Sequence, residues 1–139
     1  MNYLIDTCVL SEMVRARPNR GVLAWMESCD ESTLFMSVLT LGEIQKGIEK
    51  LAPGKRRNAL QSWLDRDLRR RFAGRILDID AEVAITWARI QASLEKGGTP
   101  LPSIDGLLCA TARTHNLTVV TRNRGDFERS GIGIYNPWS

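Results

Sequence analysis

Short apolar runs alternate with amphipathic helical stretches along this whole chain, and that alternation limits the fold more than any other feature. The runs fall at residues 2–5, 34–36, 76–79, 117–121 and 132–135. Each is too short for a core helix and is bounded by turn or capping residues, so each reads as a buried strand. Strands that alternate with helices build a mostly parallel sheet covered by helices on both faces. At 139 residues the chain has room for one core, so a single domain over 1–139 is expected.

The helices between the runs carry their own signals. Ser11 offers an N-cap for a short helix stopping near Arg17-Pro18, and residues 22–26 suggest a second short piece. Ser37 is a plausible cap for a helix on which Leu41, Ile44, Ile48 and Leu51 form an apolar stripe. Residues 55–72 make a longer amphipathic segment with Leu60, Trp63, Leu64 and Leu68 on one side. Set off by Pro53-Gly54 and Gly74, it reads as a helical arm. Asp80 caps a helix with Val83, Trp87, Ile90 and Leu94 along one face, and Gly97-Gly98 closes it. Ser103 caps the next helix, which runs to about His115.

Four acids sit at the edges of this pattern. Asp6 ends the first strand, Glu43 lies on the helix after the second, Asp105 is in the first turn of the helix before the fourth, and Asp126 is in the loop after it. Ligands in open α/β sheets gather beyond the carboxyl ends of the strands, and each position is compatible with that end. Carboxylates brought together repel unless a cation neutralises them. An all-oxygen set suits Mg²⁺ or Mn²⁺ and points to phosphodiester hydrolysis by metal-activated water. Each acid also has a plainer reading: Asp6 as a cap or turn residue, Glu43 as a solvated helix residue, Asp105 as a complement to a helix dipole, and Asp126 as a partner of Arg124 or Arg129. The apolar neighbours of Asp6 (Leu4, Ile5, Val9, Leu10) and of Asp105 (Ile104, Leu107, Leu108) favour the metal site, because acids rarely stand in core-like sequence without a use.

The segments around these acids are D-T-C-V-L-S from Asp6, S-V-L-T-L-G-E ending at Glu43, D-G-L-L-C-A-T-A from Asp105, and T-R-N-R-G-D-F from Thr121. In that order and spacing they resemble the motifs of PIN-domain ribonucleases over essentially the full chain. F-A-G-R-I-L from Phe72 and the closing Asn136-Pro137-Trp138 resemble the VapC toxin branch and its FitB-like subgroup. The resemblance implies a three-layer α/β/α sandwich around a central, mainly parallel sheet of about five strands. It implies an endoribonuclease that uses Mg²⁺ or Mn²⁺, with Asp6, Glu43 and Asp105 as ligands. Many relatives carry an aspartate where this chain has Asn123, which leaves Asp126 as the preferred fourth acid. Ser37 and Thr121, with Asn123, match polar positions that support such ligands through hydrogen bonds. A cognate antitoxin, an RNA substrate (a transfer RNA foremost), and a homodimer able to form a tetramer or a hetero-octamer with the antitoxin are implied as well.

Charge and composition bound the alternatives. The net charge is only +3, but basic residues cluster at Lys55-Arg56-Arg57 and at Arg66, Arg69, Arg70, Arg71 and Arg75. Arg122 and Arg124 flank the last motif and are read as RNA contacts. The helical cluster is equally read as a solvated face paired with Glu49, Asp65 and Asp67. Three scattered cysteines and one histidine argue against a zinc site and a disulfide framework and favour the cytoplasm. The opening MNYLIDTCVLSEMVR lacks a basic leader pattern, and no run reaches membrane-span length, so neither a secretory leader nor a membrane anchor is expected. Two rival readings are a PIN-like module that grips RNA or protein without cutting and a solitary RNA-processing nuclease. An aspartyl-phosphate phosphatase is disfavoured, because Asp6-Thr7-Cys8 lacks the D-x-D pattern.

Overall fold

The structure, a computed structural model, describes residues 1–138. Five strands form one parallel sheet: β1 (Tyr3–Ile5), β2 (Leu34–Ser37), β3 (Ile76–Leu77), β4 (Thr118–Val120) and β5 (Ile134–Tyr135), in the order β3-β2-β1-β4-β5. The helices are α1 (Thr7–Glu12), α2 (Arg20–Ser28), α3 (Val38–Glu49), α4 (Lys55–Ser62), α5 (Arg69–Arg71), α6 (Ala81–Lys96), α7 (Ser103–His115) and α8 (Arg124–Glu128). A π-helical turn, Trp63–Leu68, joins α4 to α5.

Because successive strand residues point to opposite faces, the sheet sorts its own core. Ile5, Leu34, Met36 and Val120 enter one cluster with Val9 and Leu10 of α1, Val22 and Met26 of α2, and Ile44 and Ile48 of α3. Leu4 and Val119 enter the other with Val83 and Ile90 of α6, Leu108 and Ala112 of α7, and Phe127 of α8. The result is the expected three-layer sandwich. The chain winds outward from β1 to β3, then returns to place β4 on the other side of β1. The turning point of the topology therefore lies between β1 and β4, where open α/β sheets open a crevice.

Several local expectations are corrected. Ser11 lies inside α1, and the N-cap is Asp6, whose carboxylate accepts from the Thr7 amide at 2.8 Å. The side chain of Ser103 does not cap α7, which starts at that residue after Pro102; the fixed φ of proline already suits a helix start. Asp126 lies in the first turn of α8, not in a loop. The supposed helical arm is not independent. Leu64, Leu68 and Phe72 are buried in the first core cluster, and the π turn carries two of them inward. The apolar spacing revealed the helix, but only packing revealed what it covers.

Candidate active site

Asp6, Thr7, Cys8, Glu43, Asp105, Arg122 and Asn123 line a cavity of about 580 Å³ at the carboxyl ends of β1 and β4. Three of the four acids singled out in the sequence thus meet in one place, from segments up to about a hundred residues apart in the chain. β1 delivers Asp6 at its end, where the Asp6 amide donates to the Val120 carbonyl at 3.0 Å and ties the acid to β4. Glu43 reaches the cavity from α3, whose start is fixed by Ser37 Oγ accepting from the Leu39 amide at 3.0 Å. Asp105 comes from the first turn of α7. Its neighbour Gly106 lets α7 approach α6 closely: a methyl group there would meet Trp87 Nε1 at 3.0 Å and Gln91 Oε1 at 3.2 Å.

Two threonines orient two of the acids. Thr121 Oγ1 donates to Asp6 Oδ2 at 2.8 Å, and Thr7 Oγ1 donates to Glu43 Oε1 at 2.7 Å. Both Asp6 oxygens are therefore held, one by the Thr7 amide and one by Thr121. Thr121 is buried and also accepts from the Asn123 amide at 3.0 Å. The Asn123 side chain then donates to Asp126 Oδ2 at 2.7 Å. Asp126 stands back from the cavity wall, with Arg129 at 3.7 Å.

Asp105 differs from the others. It is half-buried, and among the described residues it has no hydrogen bond and no ion pair. Burial pushes its carboxyl up to about 6, and the charges of Asp6, Asp126 and Glu43 push in the same direction. Such a group is poorly satisfied as an anion in isolation and gains from any cation placed before it. Cys8 Sγ lies 3.6 Å from Asp6 Oδ2, and burial followed by the Asp6 charge raises its thiol, so it stays protonated. Among the described residues, no three Asp, Glu, His or Cys side chains are gathered closely enough to hold a metal ion as they stand. The acids rim an open cavity instead. An all-oxygen donor set of this kind would suit a hard cation such as Mg²⁺ or Mn²⁺.

Not every expected residue reaches this place. Ser37 is buried at the start of α3, serves as its cap, and is not on the cavity wall. Arg122 is on the wall, whereas Arg124 pairs with Glu128 at 3.3 Å away from it. Sequence reasoning missed Thr7, although a hydroxyl directly after Asp6 was a visible signal. It also missed Lys46 and Lys50, which line a neighbouring groove of about 420 Å³ with Val38, Leu39, Glu43 and Ile104; their one- and two-turn spacing from Glu43 along α3 was the available sign.

A parallel sheet with three acids lining a cavity at its topological turning point places the chain among the open α/β folds whose ligands gather at the strand ends. The PIN-domain family model matches residues 3–132, and the chain belongs to that family. It is 38% identical to "Toxin FitB" of Neisseria gonorrhoeae, over 97% of each chain. It is 36% identical to "VapC ribonuclease Y4jK" of Sinorhizobium fredii, over 97% of this chain and 96% of that one. Among solved structures, FitAcB from Neisseria gonorrhoeae superposes with a TM-score of 0.93 at 38% identity and covers 98% of both chains. A FitAB complex bound to a DNA fragment matches with the same TM-score at 36% identity, covering 99% of this chain and 96% of that one.

Proposed function

We propose that this chain is a divalent-metal-dependent endoribonuclease that acts as the toxin of a toxin–antitoxin pair. The observation that carries the reading is Asp105, half-buried, without a hydrogen bond or ion pair among the described residues, and lining one open cavity with Asp6 and Glu43. Asp6, Glu43 and Asp105 would hold Mg²⁺ or Mn²⁺, with Asp126 completing the set through Asn123 or an intervening water. A metal bound there supplies an activated water and offsets the charge that develops on the phosphoryl oxygen. The chain's own residues do the rest. Thr121 and Thr7 keep the Asp6 and Glu43 oxygens aimed at the cavity, and a bound cation would favour the charged form of Asp105, which burial and the neighbouring acids disfavour. Arg122 offers the substrate backbone a positive charge beside the acids.

The relatives' names support the partners. FitB is named a toxin, and the FitAB structure is a complex bound to DNA. A cognate antitoxin is therefore proposed, binding a homodimer of this chain or a larger assembly. The relative from Salmonella typhimurium, 29% identical over 96% of both chains, is named a tRNA(fMet)-specific endonuclease. A structured RNA, transfer RNA first, is the substrate to try. Among the described residues no helix is long and apolar enough to cross a membrane, and three free cysteines suit the reducing cytoplasm proposed for it.

The test is cleavage of a structured RNA by the purified chain in Mg²⁺ or Mn²⁺. Asp6→Asn and Asp105→Asn should each abolish it. Cleavage that survives EDTA, or persists in both variants, would sink the metal mechanism. RNA binding without any cleavage would leave a non-catalytic binding module.

A further inference from the structure

Arg122 shares the cavity wall with Asp6, Glu43 and Asp105, yet among the described residues it makes no ion pair and no side-chain hydrogen bond. A guanidinium beside carboxylates ordinarily folds down onto one of them, because the charge-assisted pair is favourable. Here the Arg122 guanidinium carbon lies 5.2 Å from the ring centroid of Trp138 instead.

Trp138 is well placed to hold it. The Thr121 amide donates to the Tyr135 carbonyl at 3.0 Å, so the closing segment is in register with the strand from which Arg122 emerges. Pro137 is buried, and the Trp138 amide donates to Asn136 Oδ1 at 2.9 Å, which fixes the turn. The indole is half-buried and packs on the first core cluster, leaving a face for the guanidinium.

We propose that Trp138 is a positioning residue: it holds Arg122 off the metal-binding carboxylates and presents it to a backbone phosphate of the RNA. The inference rests on the ribonuclease reading. Without the indole face, Arg122 would fall onto Asp6 or Asp105, where it would compete with the cation and be lost to the substrate. The arrangement explains why an exposed arginine can sit in an acidic site without neutralising it.

The experiment is a double-mutant cycle on the full chain. Uncleaved RNA binding is measured by fluorescence anisotropy in the Asp105→Asn background, with KM and kcat measured on the otherwise native enzyme. Arg122→Gln should weaken RNA binding and reduce the slope of log K against log salt by about one. Trp138→Met, which keeps apolar volume but removes the π face, should weaken binding roughly two- to fivefold and raise the Mg²⁺ concentration needed for half-maximal rate. Trp138→Phe should stay near the native values. Added to Arg122→Gln, Trp138→Met should change nothing further. Additive effects, or equal losses in Trp138→Phe and Trp138→Met, would overturn the proposal and leave Trp138 a packing residue. Ring-current-shifted Arg122 side-chain protons in the native protein, assigned against Arg122→Lys, provide a second reading that needs no Trp138 variant to fold. Their absence would also overturn the proposal. A native enzyme that cleaves no RNA counts against the ribonuclease reading itself, whereas the ring-current result stands or fails independently.

Discussion

The acid-lined end of the sheet and the basic helical segment from Lys55 to Arg75 use charge in opposite ways. In the basic segment the arginines nearest the core have acidic partners. Arg57 meets Glu49 at 2.8 Å, and Arg71 and Arg75 both reach Glu31, at 2.9 and 3.2 Å. Arg71 and Arg75 also lie over the ring of buried Phe72, at 5.7 and 5.1 Å, and Arg75 donates to the Leu34 and Arg71 carbonyls. Those charges bind one part of the protein to another. At the acid end, Asp6, Glu43 and Asp105 have no cationic partner among the described residues, and Arg122, the cation on the wall of their cavity, lies on an indole. Paired charge serves the fold here, and unpaired charge waits for something absent from the chain. The proposed reaction requires that asymmetry.

The comparison can be broken most forcefully at Phe72. If the basic segment belongs to the core, Phe72→Ala should cost about 3–5 kcal/mol in urea unfolding. A loss under 1 kcal/mol would restore the idea of an independent arm. Asp105→Asn should act in the opposite sense at the other end. RNA cleavage should fall by more than about 100-fold, since even groups that merely support metal ligands are worth 10- to 100-fold. Yet the metal-free protein should become more stable at pH 7, by roughly 1 kcal/mol after allowing for the solvent that screens this half-exposed group. A variant that loses both activity and stability would make Asp105 a structural residue.

The same two regions should differ in sign with pH. The Asp105 carboxyl is raised to about 6 from 3.8, so protonation favours the folded state. Its contribution is complete below the unfolded value and is lost as pH rises through about 6, in the absence of metal. The advantage of Asp105→Asn over the native chain should therefore shrink as pH falls from 7 to 4. Saturating Mg²⁺ should reverse it, because the ion stabilises only the chain that binds it. Glu31 behaves conversely. Burial raises its carboxyl, but Arg71 and Arg75 outweigh burial and hold it below the usual range. Its stabilisation is present above about pH 4.5 and is lost as pH falls through its lowered folded value. Glu31→Gln should destabilise by about 1 kcal/mol at pH 7 and leave cleavage within twofold, with the loss fading in acid. Melting curves across pH, with and without Mg²⁺, check both.

The smallest expected effect sharpens the role of the threonines. Thr121→Val keeps the shape but removes the hydroxyl that donates to Asp6. It should weaken Mg²⁺ activation about tenfold with little change in RNA affinity. An unchanged Mg²⁺ dependence would show that Asp6 is held well enough by the Thr7 amide alone.

Much of this was legible in one dimension. Short apolar runs and period-3.6 stripes are local, so the five strands and the α3 and α6 stripes could be read from neighbouring residues. Asp6 and Asp105 stood out because a carboxylate in an apolar run is rare at any position. Capping was less legible: Asp6 and Ser11 both suit a helix start, and only the backbone of β1, ending where it does, made Asp6 the cap of α1. The burial of Leu64, Leu68 and Phe72 could not be read either, since an apolar stripe states that a face is covered without stating by what.

The sequence by itself determined the layered parallel architecture, the membership of three acids in one family of motifs, and the surplus of basic residues. These depend on spacing within short windows. Only the tertiary structure decided which charges meet. Asn123 came to support Asp126, Arg71 and Arg75 came to share Glu31, and Asp105 was left without a partner among the described residues. Electrostatic energy depends on distance in space and on exclusion from water, and neither can be read from position along the chain.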